Sequence, residues 1–306
     1  MLLITAVCLP KRSSPEIAEV FKINKMNCKK TLMVLVILLA TKFWAQAQEL
    51  KIATYNIRYN NPGDSLNTWK YRKAPLSNMI RFYDFDLFGV QEALSGQIKD
   101  LAELKDYTYV GVGRDDGKEK GEFSAIFYKK DRLTLIKSGT FWLSPTDTDH
   151  PNKGWDAALP RICTWASFKD KKTGFKFIHF NTHFDHVGIE ARRESAKLIM
   201  RKMKEIAGES AIVLTGDFNV TQDNESYQLF NSSGFLKDAF ETAEIKLSDN
   251  ATFNAFKPAP VSGKADRIDH IFLSKQFRAK RYGVLTNSFM GRYPSDHFPI
   301  MVVTGI

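Results

Sequence analysis

The sequence is poor in cysteine and has no early apolar run long enough to cross a bilayer as a helix. Of its three cysteines, Cys8 and Cys28 precede residue 48, so Cys163 has no partner for a disulfide within residues 48–306. No group of cysteines and histidines has the spacing of a zinc site. The apolar run at 32–40 has nine residues, against about 20 in a transmembrane helix. A disulfide-based scaffold is excluded, and we expect neither zinc nor a spanning anchor.

The short apolar run has the surroundings of a secretory signal peptide. Three lysines precede it, and a small-residue A-x-A site at 45–47 follows it. Met26 stands where such a peptide should begin, so we interpret 1–25 as an over-called start and 26–47 as the signal. No cysteine stands at the expected cleavage point to carry a lipid. We expect a periplasmic or secreted monomer of residues 48–306, without a stable membrane anchor.

Composition and charge are those of an ordinary globular domain. Hydrophobic residues make up 43% of the chain and charged residues 25%, which indicates no disorder. Removing 1–47 lowers the formal net charge from +10 to +5, because seven basic and two acidic residues go with it. A modest positive excess suits an anionic substrate, but the basic residues are scattered. The remaining length favours one domain over two.

Strand and helix patterns alternate along residues 50–303. The periodicities predict two sheets packed face to face with helices outside. Catalytic groups should then gather where strand ends meet loops. Strands are predicted at 50–57, 86–91, 107–113, 124–128, 133–143, 162–168, 175–182, 211–215, 268–273, 279–285 and 299–303. Helices are predicted at 71–83, 95–104, 190–207 and 225–231.

The strongest local motif is Thr215-Gly216-Asp217-Phe218-Asn219, at the end of a predicted buried strand. Residues two apart in an extended chain share a face, so Asp217 and Asn219 should point together past the sheet edge. A carboxylate and an amide held in this way can orient a water and a phosphoryl oxygen. Asp and Asn are also common turn residues, so the motif alone is equally compatible with a plain turn.

The same spacing of polar residues recurs at other predicted strand ends. Asn181 and His183 end one strand, Asn56 and Arg58 end the first, and Glu92 directly follows another. Each residue also has an ordinary structural explanation as a turn or surface group. Repetition at successive strand ends is what favours a shared site.

Two further motifs place acids and imidazoles next to strands. Asp269 begins one strand in Arg267-Ile268-Asp269-His270-Ile271, and Ser295-Asp296-His297-Phe298-Pro299 leads into the last. Adjacent Asp-His pairs are common by chance. Here one side chain of the pair can turn towards the site while the other braces the loop.

Together these motifs resemble the endonuclease/exonuclease/phosphatase superfamily, which includes pancreatic deoxyribonuclease, deadenylases, neutral sphingomyelinases and inositol polyphosphate 5-phosphatases. The resemblance spans residues 50–305, with the motifs in the family's order. It implies an α/β fold, a four-layered α-β-β-α sandwich of two packed mixed sheets in a single domain. The motifs are TYNIR with Asn56, GVQE with Glu92, NTH with Asn181 and His183, GDFN with Asp217 and Asn219, RIDHI with Asp269, and SDHFP with Asp296 and His297.

The resemblance also implies a metal site. Glu92 would be the principal Mg²⁺ carboxylate, with Asn56 beside it and Asp296 as a further ligand. Mg²⁺ prefers hard oxygen ligands and usually takes one or two protein carboxylates plus substrate phosphate. Mn²⁺ is the expected substitute.

For catalysis, the resemblance implies that Asp217 or His297 activates water, and the sequence leaves both open. Asp269 or Glu122 would orient the imidazole of His297, and Asn219 and His183 would hold phosphoryl oxygens. On the substrate side, the implied contacts are Arg58 and Asn181, with Arg114 and Arg161 from the loops at 111–117 and 154–161. For the last two arginines, a surface ion pair is an equally good explanation.

The expected activity is Mg²⁺-dependent hydrolysis of a phosphodiester by direct attack of water. We expect an anionic phosphate ester as substrate, with a nuclease, including a 3′–5′ exonuclease, as the first hypothesis. The alternatives are a phospholipid or sphingomyelin phosphodiesterase, a sugar or inositol phosphatase, and a catalytically inactive binding module. A nuclease should have a basic groove with stacking aromatics, for which Trp142, Trp155 and Trp165 are candidates. A lipid enzyme should expose an aromatic hairpin, for which 252–256 is a weak candidate.

Overall fold

A computed structural model describes residues 49–257 and 266–306, and the predicted signal peptide lies outside these residues. The described residues belong to one compact unit. Among them, no helix is both long enough and apolar enough to cross a membrane.

One mixed sheet has seven strands in the order β10-β12-β13-β1-β2-β4-β3. The strands β1 and β2 are parallel, and β1 is antiparallel to β13. The strand bounds are β1 Glu49–Asn56, β2 Leu87–Gln91, β3 Tyr107–Val110, β4 Ile126–Lys129, β10 Ile245–Lys246, β12 Arg278–Val284 and β13 Ile300–Gly305.

The second mixed sheet has six strands in the order β5-β6-β7-β8-β11-β9. The strands β7 and β8 are parallel, and β11 is antiparallel to β8. The strand bounds are β5 Leu133–Trp142, β6 Ile162–Asp170, β7 Lys176–His183, β8 Ala211–Asp217, β9 Leu236–Asp238 and β11 Asp269–Ser274.

Helices cover the outer face of each sheet, so the predicted four layers are confirmed. Alternate strand residues explain the arrangement: in β8, Val213 joins the core between the sheets, whereas Ile212 and Leu214 pack outwards with helical residues such as Met203. On the other side, Ile80 packs in a cluster with residues of β1 and β2. The helices are α1 Trp69–Tyr83, α2 Ser95–Ala102, α3 Ile189–Ala207, α4 Glu225–Asn231 and α5 Ala239–Thr242, with a 3₁₀ helix at Pro62–Asn67.

Every predicted strand and helix is present, although several ends differ. The strand predicted at 107–113 stops at Val110, because Gly111 has φ 137° and leaves the extended conformation. The strand predicted at 211–215 continues to Asp217. The structure adds β9, β10 and α5, which have two to four residues each. Elements this short carry no readable periodicity.

Candidate active site

Strand pairing brings the predicted polar residues to one edge of the sandwich. In the six-stranded sheet, His183 lies opposite Asp217, and Asp217 lies opposite Asp269. In the other sheet, Asn56 ends β1 and Glu92 follows the parallel strand β2. Residues from five sequence motifs therefore converge through the register of the sheets.

Asp217 is the centre of this arrangement. Its Oδ2 accepts a hydrogen bond from Asn56 Nδ2 at 2.8 Å, and its Oδ1 accepts one from the backbone N–H of Asn219 at 3.0 Å. The Nε2 atoms of His183 and His297 each lie 3.7 Å from Asp217 Oδ2. Two hydrogen bonds therefore hold the Asp217 carboxylate in place, and two imidazoles lie beside it.

His297 lies between two carboxylates. Its Nδ1 is 2.9 Å from Asp269 Oδ2, and its Nε2 faces Asp217. Burial by itself lowers the pKa of His297, but the charges of Asp269 and Asp217 outweigh it and raise the pKa to about 10. Of the two residues predicted to orient this imidazole, the structure therefore places Asp269, and not Glu122, against it.

Glu122 lies beside the imidazole of His183 and not beside that of His297. Its carboxylate receives two hydrogen bonds from Arg114, at 2.8 and 3.0 Å, and lies 3.6 Å from Nδ1 of His183. Burial opposes ionisation, but contact with His183 and the charge of Arg114 lower the pKa of Glu122 to about 2. Arg114 is buried and does not line the cavity. Its placement therefore disagrees with the predicted substrate contact: it is an internal ion-pair partner.

Asn181 also departs from the prediction. Its side chain is fully buried between the sheets, where Nδ2 donates to the backbone oxygens of Val90 and Ala125 at 2.9 and 3.0 Å. Its Oδ1 accepts from Gln91 Nε2 at 2.7 Å and from Thr215 Oγ1 at 2.9 Å. An amide used in this way joins the two sheets, so the predicted substrate contact does not fit its position.

The potential metal-ligand atoms around Asp217 are suited to a divalent cation. Glu92, Asp217 and His297 each offer a ligand atom within 4.8 Å of the others. Burial raises the pKa of Asp296 above its usual value, and the nearby charge of Glu92 adds to this effect. Crowded carboxylates of this kind are relieved by a bound cation. Asn56, predicted as a ligand, instead points its amide nitrogen at Glu92 and Asp217.

The cavity has a volume of about 650 Å³, within the range of about 300–1,000 Å³ for small-molecule sites. Three of its lining residues, Arg58, Glu92 and Asn219, have left-handed backbone with φ of 53°, 62° and 49°. Such strain concentrates at functional sites. The remaining lining residues are Tyr59, Glu122, Leu159, Arg161, His183, His186, Asp217, Phe253, Ile268, Asp296 and His297.

Two residues that the sequence analysis did not identify hold the loop of Arg58. The buried Arg72 donates to the backbone oxygens of Ile57, Arg58 and Pro294 at 2.7–3.0 Å. Gln97 donates to the same Arg58 oxygen at 2.9 Å. Both side chains belong to helices, where periodicity gives no signal for contacts with a distant loop. Arg72 thereby connects the loop after β1 with the loop before β13.

Comparisons with known proteins agree with this geometry. The profile of the endonuclease/exonuclease/phosphatase family matches residues 53–297. The chain belongs to this family. Its members are metal-dependent phosphoric ester hydrolases, so the protein is an enzyme of that class, and Glu92, Asp217 and His297 form a group that could hold a divalent metal.

Similar proteins include enzymes with different substrates. A mannosyl-6-phosphatase of Bacteroides thetaiotaomicron is 48% identical, with a TM-score of 0.80 over 84% of this chain and 100% of its own. An uncharacterised mimivirus protein, L388, is 26% identical over 83% of this chain and 99% of its own. The Ccr4 exoribonuclease subunit of Debaryomyces hansenii is 25% identical over 76% of this chain but only 35% of its own length. Membership of the family therefore does not identify the substrate of this protein, which has to be inferred from its own cavity.

Proposed function

We propose that the protein is an exported, Mg²⁺-dependent phosphatase that releases inorganic phosphate from a sugar phosphate monoester. The cavity carries the proposal: about 650 Å³ holds acidic groups, imidazoles and two arginines, Arg58 and Arg161, around one centre. A space of this size suits a single small ester. The full-length similarity to a mannosyl-6-phosphatase supports a hexose phosphate as the substrate class.

In this proposal Glu92, Asp217 and Asp296 supply the oxygen atoms that hold Mg²⁺. The bound cation would polarise the phosphoryl group and offset charge on the leaving oxygen. Asp217 also orients the attacking water and receives its proton. His297 is poorly suited to receive it, because the charges of Asp269 and Asp217 raise its pKa and keep the imidazole protonated.

The other groups of the cavity stabilise the phosphoryl oxygens. His183 lies beside Asp217, and Asn219 lies on the same loop as that carboxylate, with its amide nitrogen donating to Phe184 O at 3.0 Å. His297, protonated between Asp269 and Asp217, contributes a positive charge as negative charge develops on the phosphoryl oxygens. Because water attacks directly, no covalent enzyme intermediate is expected and configuration at phosphorus should invert.

A nuclease is the second candidate, favoured by the similarity to Ccr4. The aromatic side chains proposed for base stacking do not support it, since Trp142, Trp155 and Trp165 do not line the cavity. Phe253 does line it, is 49% exposed and packs edge-on against His297 at 5.0 Å. One aromatic ring at the mouth suits the ring of a sugar as well as a base.

The test measures hydrolysis by purified residues 48–306 with Mg²⁺, as inorganic phosphate released from a monoester and as nucleotides or phosphocholine released from a diester. Mannose 6-phosphate should be hydrolysed with a kcat/KM at least tenfold above that for single-stranded RNA or sphingomyelin. A preference for RNA would contradict the phosphatase and favour the nuclease. Export is tested separately, because intact-mass analysis of secreted protein should give an N-terminus near Gln48. A retained leader would contradict it.

A further inference from the structure

One wall of the cavity contains a buried arginine with unused hydrogen-bonding capacity. Arg161 is only 4% exposed and lines the cavity. Its Nε donates to Asp185 Oδ2 at 3.2 Å, and its Nη2 lies 3.0 Å from Nδ1 of His186. Its Nη1 is buried and has no hydrogen-bond partner. Arg114 Nε and Arg267 Nε also lack a partner, but of these three arginines Arg161 alone lines the cavity, where a ligand can supply the acceptor.

Asp185 cannot supply that acceptor because both its oxygens are occupied. Oδ2 accepts from Arg161 and from the backbone N–H of Leu159, and Oδ1 accepts from the backbone N–H groups of Val187 and Gly188 at 3.0 and 2.8 Å. Burial opposes ionisation, but these N–H groups hold the pKa of Asp185 well below its usual range. The carboxylate therefore anchors Arg161 in place.

His186 adds a second donor beside Arg161. Arginine has only donors, so the contact with Nη2 makes His186 Nδ1 the acceptor and leaves the hydrogen on Nε2. His186 is exposed and lines the cavity. Arg161 and His186 both line this wall, Arg161 with its unpartnered Nη1 and His186 with a hydrogen on Nε2, and the carboxylate of Asp185 is already fully hydrogen-bonded. Such a wall fits an oxygen that carries negative charge.

The two arginines of the cavity lie near different acidic groups. Arg58 lies 3.9 Å from Glu92 and 3.7 Å from Asp296, and is paired with Asp64 at 3.0 Å. Arg161 contributes instead to the lowered pKa of Glu122, the carboxylate that faces His183. Both arginines line the cavity that contains Asp217, each beside a different carboxylate.

We propose that Arg161, supported by Asp185 and His186, binds the third terminal oxygen of a phosphate monoester. A diester has only two terminal oxygens, so it gains less from this contact. Arg161 would then determine the preference for monoesters, with His186 as a positioning residue. The inference rests on the proposed function and adds to it the group that distinguishes a terminal phosphate from an internal one.

The experiment compares two substrates in wild type and Arg161→Met, both with Mg²⁺. For p-nitrophenyl phosphate we expect kcat/KM to fall by about 10- to 100-fold, the size of a charged hydrogen bond. For bis(p-nitrophenyl) phosphate we expect a fall of less than about threefold, so the monoester-to-diester ratio drops. The inhibition constant of inorganic phosphate should rise by about tenfold or more. Arg278→Met, which removes an exposed arginine outside the cavity, is the charge-matched control.

An unchanged ratio in folded Arg161→Met would overturn the inference. If that variant does not fold because Asp185 loses its partner, His186→Ala carries the test, since it leaves the pair of Arg161 and Asp185 intact. The ratio should then fall by about threefold or more, and equal losses on both substrates would refute the assignment. A wild-type enzyme that hydrolyses only diesters contradicts the proposed function, whereas a monoesterase with an unaltered ratio contradicts only this inference.

Discussion

Two polar clusters lie along the same strands, and they use their hydrogen-bonding groups differently. The interlayer cluster consists of Asn181, Gln91, Thr215 and His179, where four hydrogen bonds satisfy the Asn181 amide. The cavity cluster consists of Glu92, His183, Asp217, Asp269 and His297. Buried atoms without a partner occur in both clusters: Gln91 Oε1 and His179 Nδ1 in the interlayer cluster, and Asp269 Oδ1 and His183 Nδ1 in the cavity cluster. The clusters differ in access, because Glu92, His183, Asp217 and His297 line the cavity whereas no member of the interlayer cluster does. Polar groups packed between sheets hold the fold together, whereas those that line a cavity can bind a ligand.

The largest difference between the clusters should be seen in turnover. Asp217→Asn keeps the shape of the side chain but removes its charge, and His297→Ala removes the cation between two carboxylates. We expect kcat to fall by about 10³-fold or more in each, because transition-state charge is no longer balanced. The melting temperature of Asp217→Asn should stay near that of wild type, since the packing is kept, whereas that of His297→Ala should fall, because Asp269 and Asp217 lose the cation between them. A tenfold or smaller loss would remove these residues from the mechanism.

The interlayer cluster should show the opposite behaviour. Asn181→Leu removes the side-chain donor to the buried oxygens of Val90 and Ala125 and the acceptor of Gln91 Nε2 and Thr215 Oγ1. We expect urea unfolding to show a loss of about 3 kcal/mol or more, the usual cost of breaking a buried network. His183→Ala, two residues along the same strand, is the matched comparison and should lose activity with little loss of stability. If Asn181→Leu were stable but inactive, the distinction between the clusters would fail.

The two clusters should also differ in how strongly they affect the Mg²⁺ dependence of the rate. Glu92→Ala removes a carboxylate of the cavity cluster that lies within ligand distance of Asp217. We expect the Mg²⁺ concentration for half-maximal rate to rise by about tenfold or more, as for loss of a metal ligand. Asn181→Leu should leave this concentration unchanged, provided that the assay is run where the variant is folded. A titration curve unaltered by Glu92→Ala would exclude it as a ligand.

The sequence could predict which strand ends carry the chemistry but not which polar residue at each end reaches the cavity. His183 and Asn181 have the same sequence signal, spacing two apart at one strand end. Asn181 is buried whereas His183 reaches the cavity, because the other sheet lies over Asn181. The partners of Asn181, Val90 and Ala125, come from positions 91 and 56 residues away. Such contacts depend on how the sheets pack, which periodicity does not encode.

Arginines show the same limit of sequence reasoning. Arg161 and Arg114 were both interpreted as anion contacts or ion pairs, and the structure separates them by their partners. Arg114 gives two hydrogen bonds to Glu122 and does not line the cavity, whereas Arg161 pairs with Asp185 and lines it. His186 gave no signal of its own, because a single histidine after a strand is ordinary. Only its contact with Arg161 identifies it.

The smallest expected effect belongs to His179 of the interlayer cluster, and it depends on pH. Burial lowers the pKa of His179 to about 3, and its Nε2 lies 2.7 Å from Thr215 Oγ1. Between pH 6.5 and 3 the unfolded chain binds a proton here that the folded chain does not. Stability should therefore decrease as pH falls below 6.5, by up to about 1.4 kcal/mol per pH unit from this group. Above pH 6.5 the group contributes no pH dependence, because it is neutral in both states.

His179→Gln isolates this contribution, since glutamine can still hydrogen-bond Thr215 but does not titrate. Urea unfolding of wild type and variant at pH 7.5 and pH 5.5 gives the difference directly. The variant should lose about 1 kcal/mol less than wild type over this interval. The imidazoles of the cavity cluster remain in both proteins, so their titration cancels in the comparison. Equal losses would show that His179 is protonated in the folded state, and the interlayer cluster would then have to hold a charge with no acid among its members.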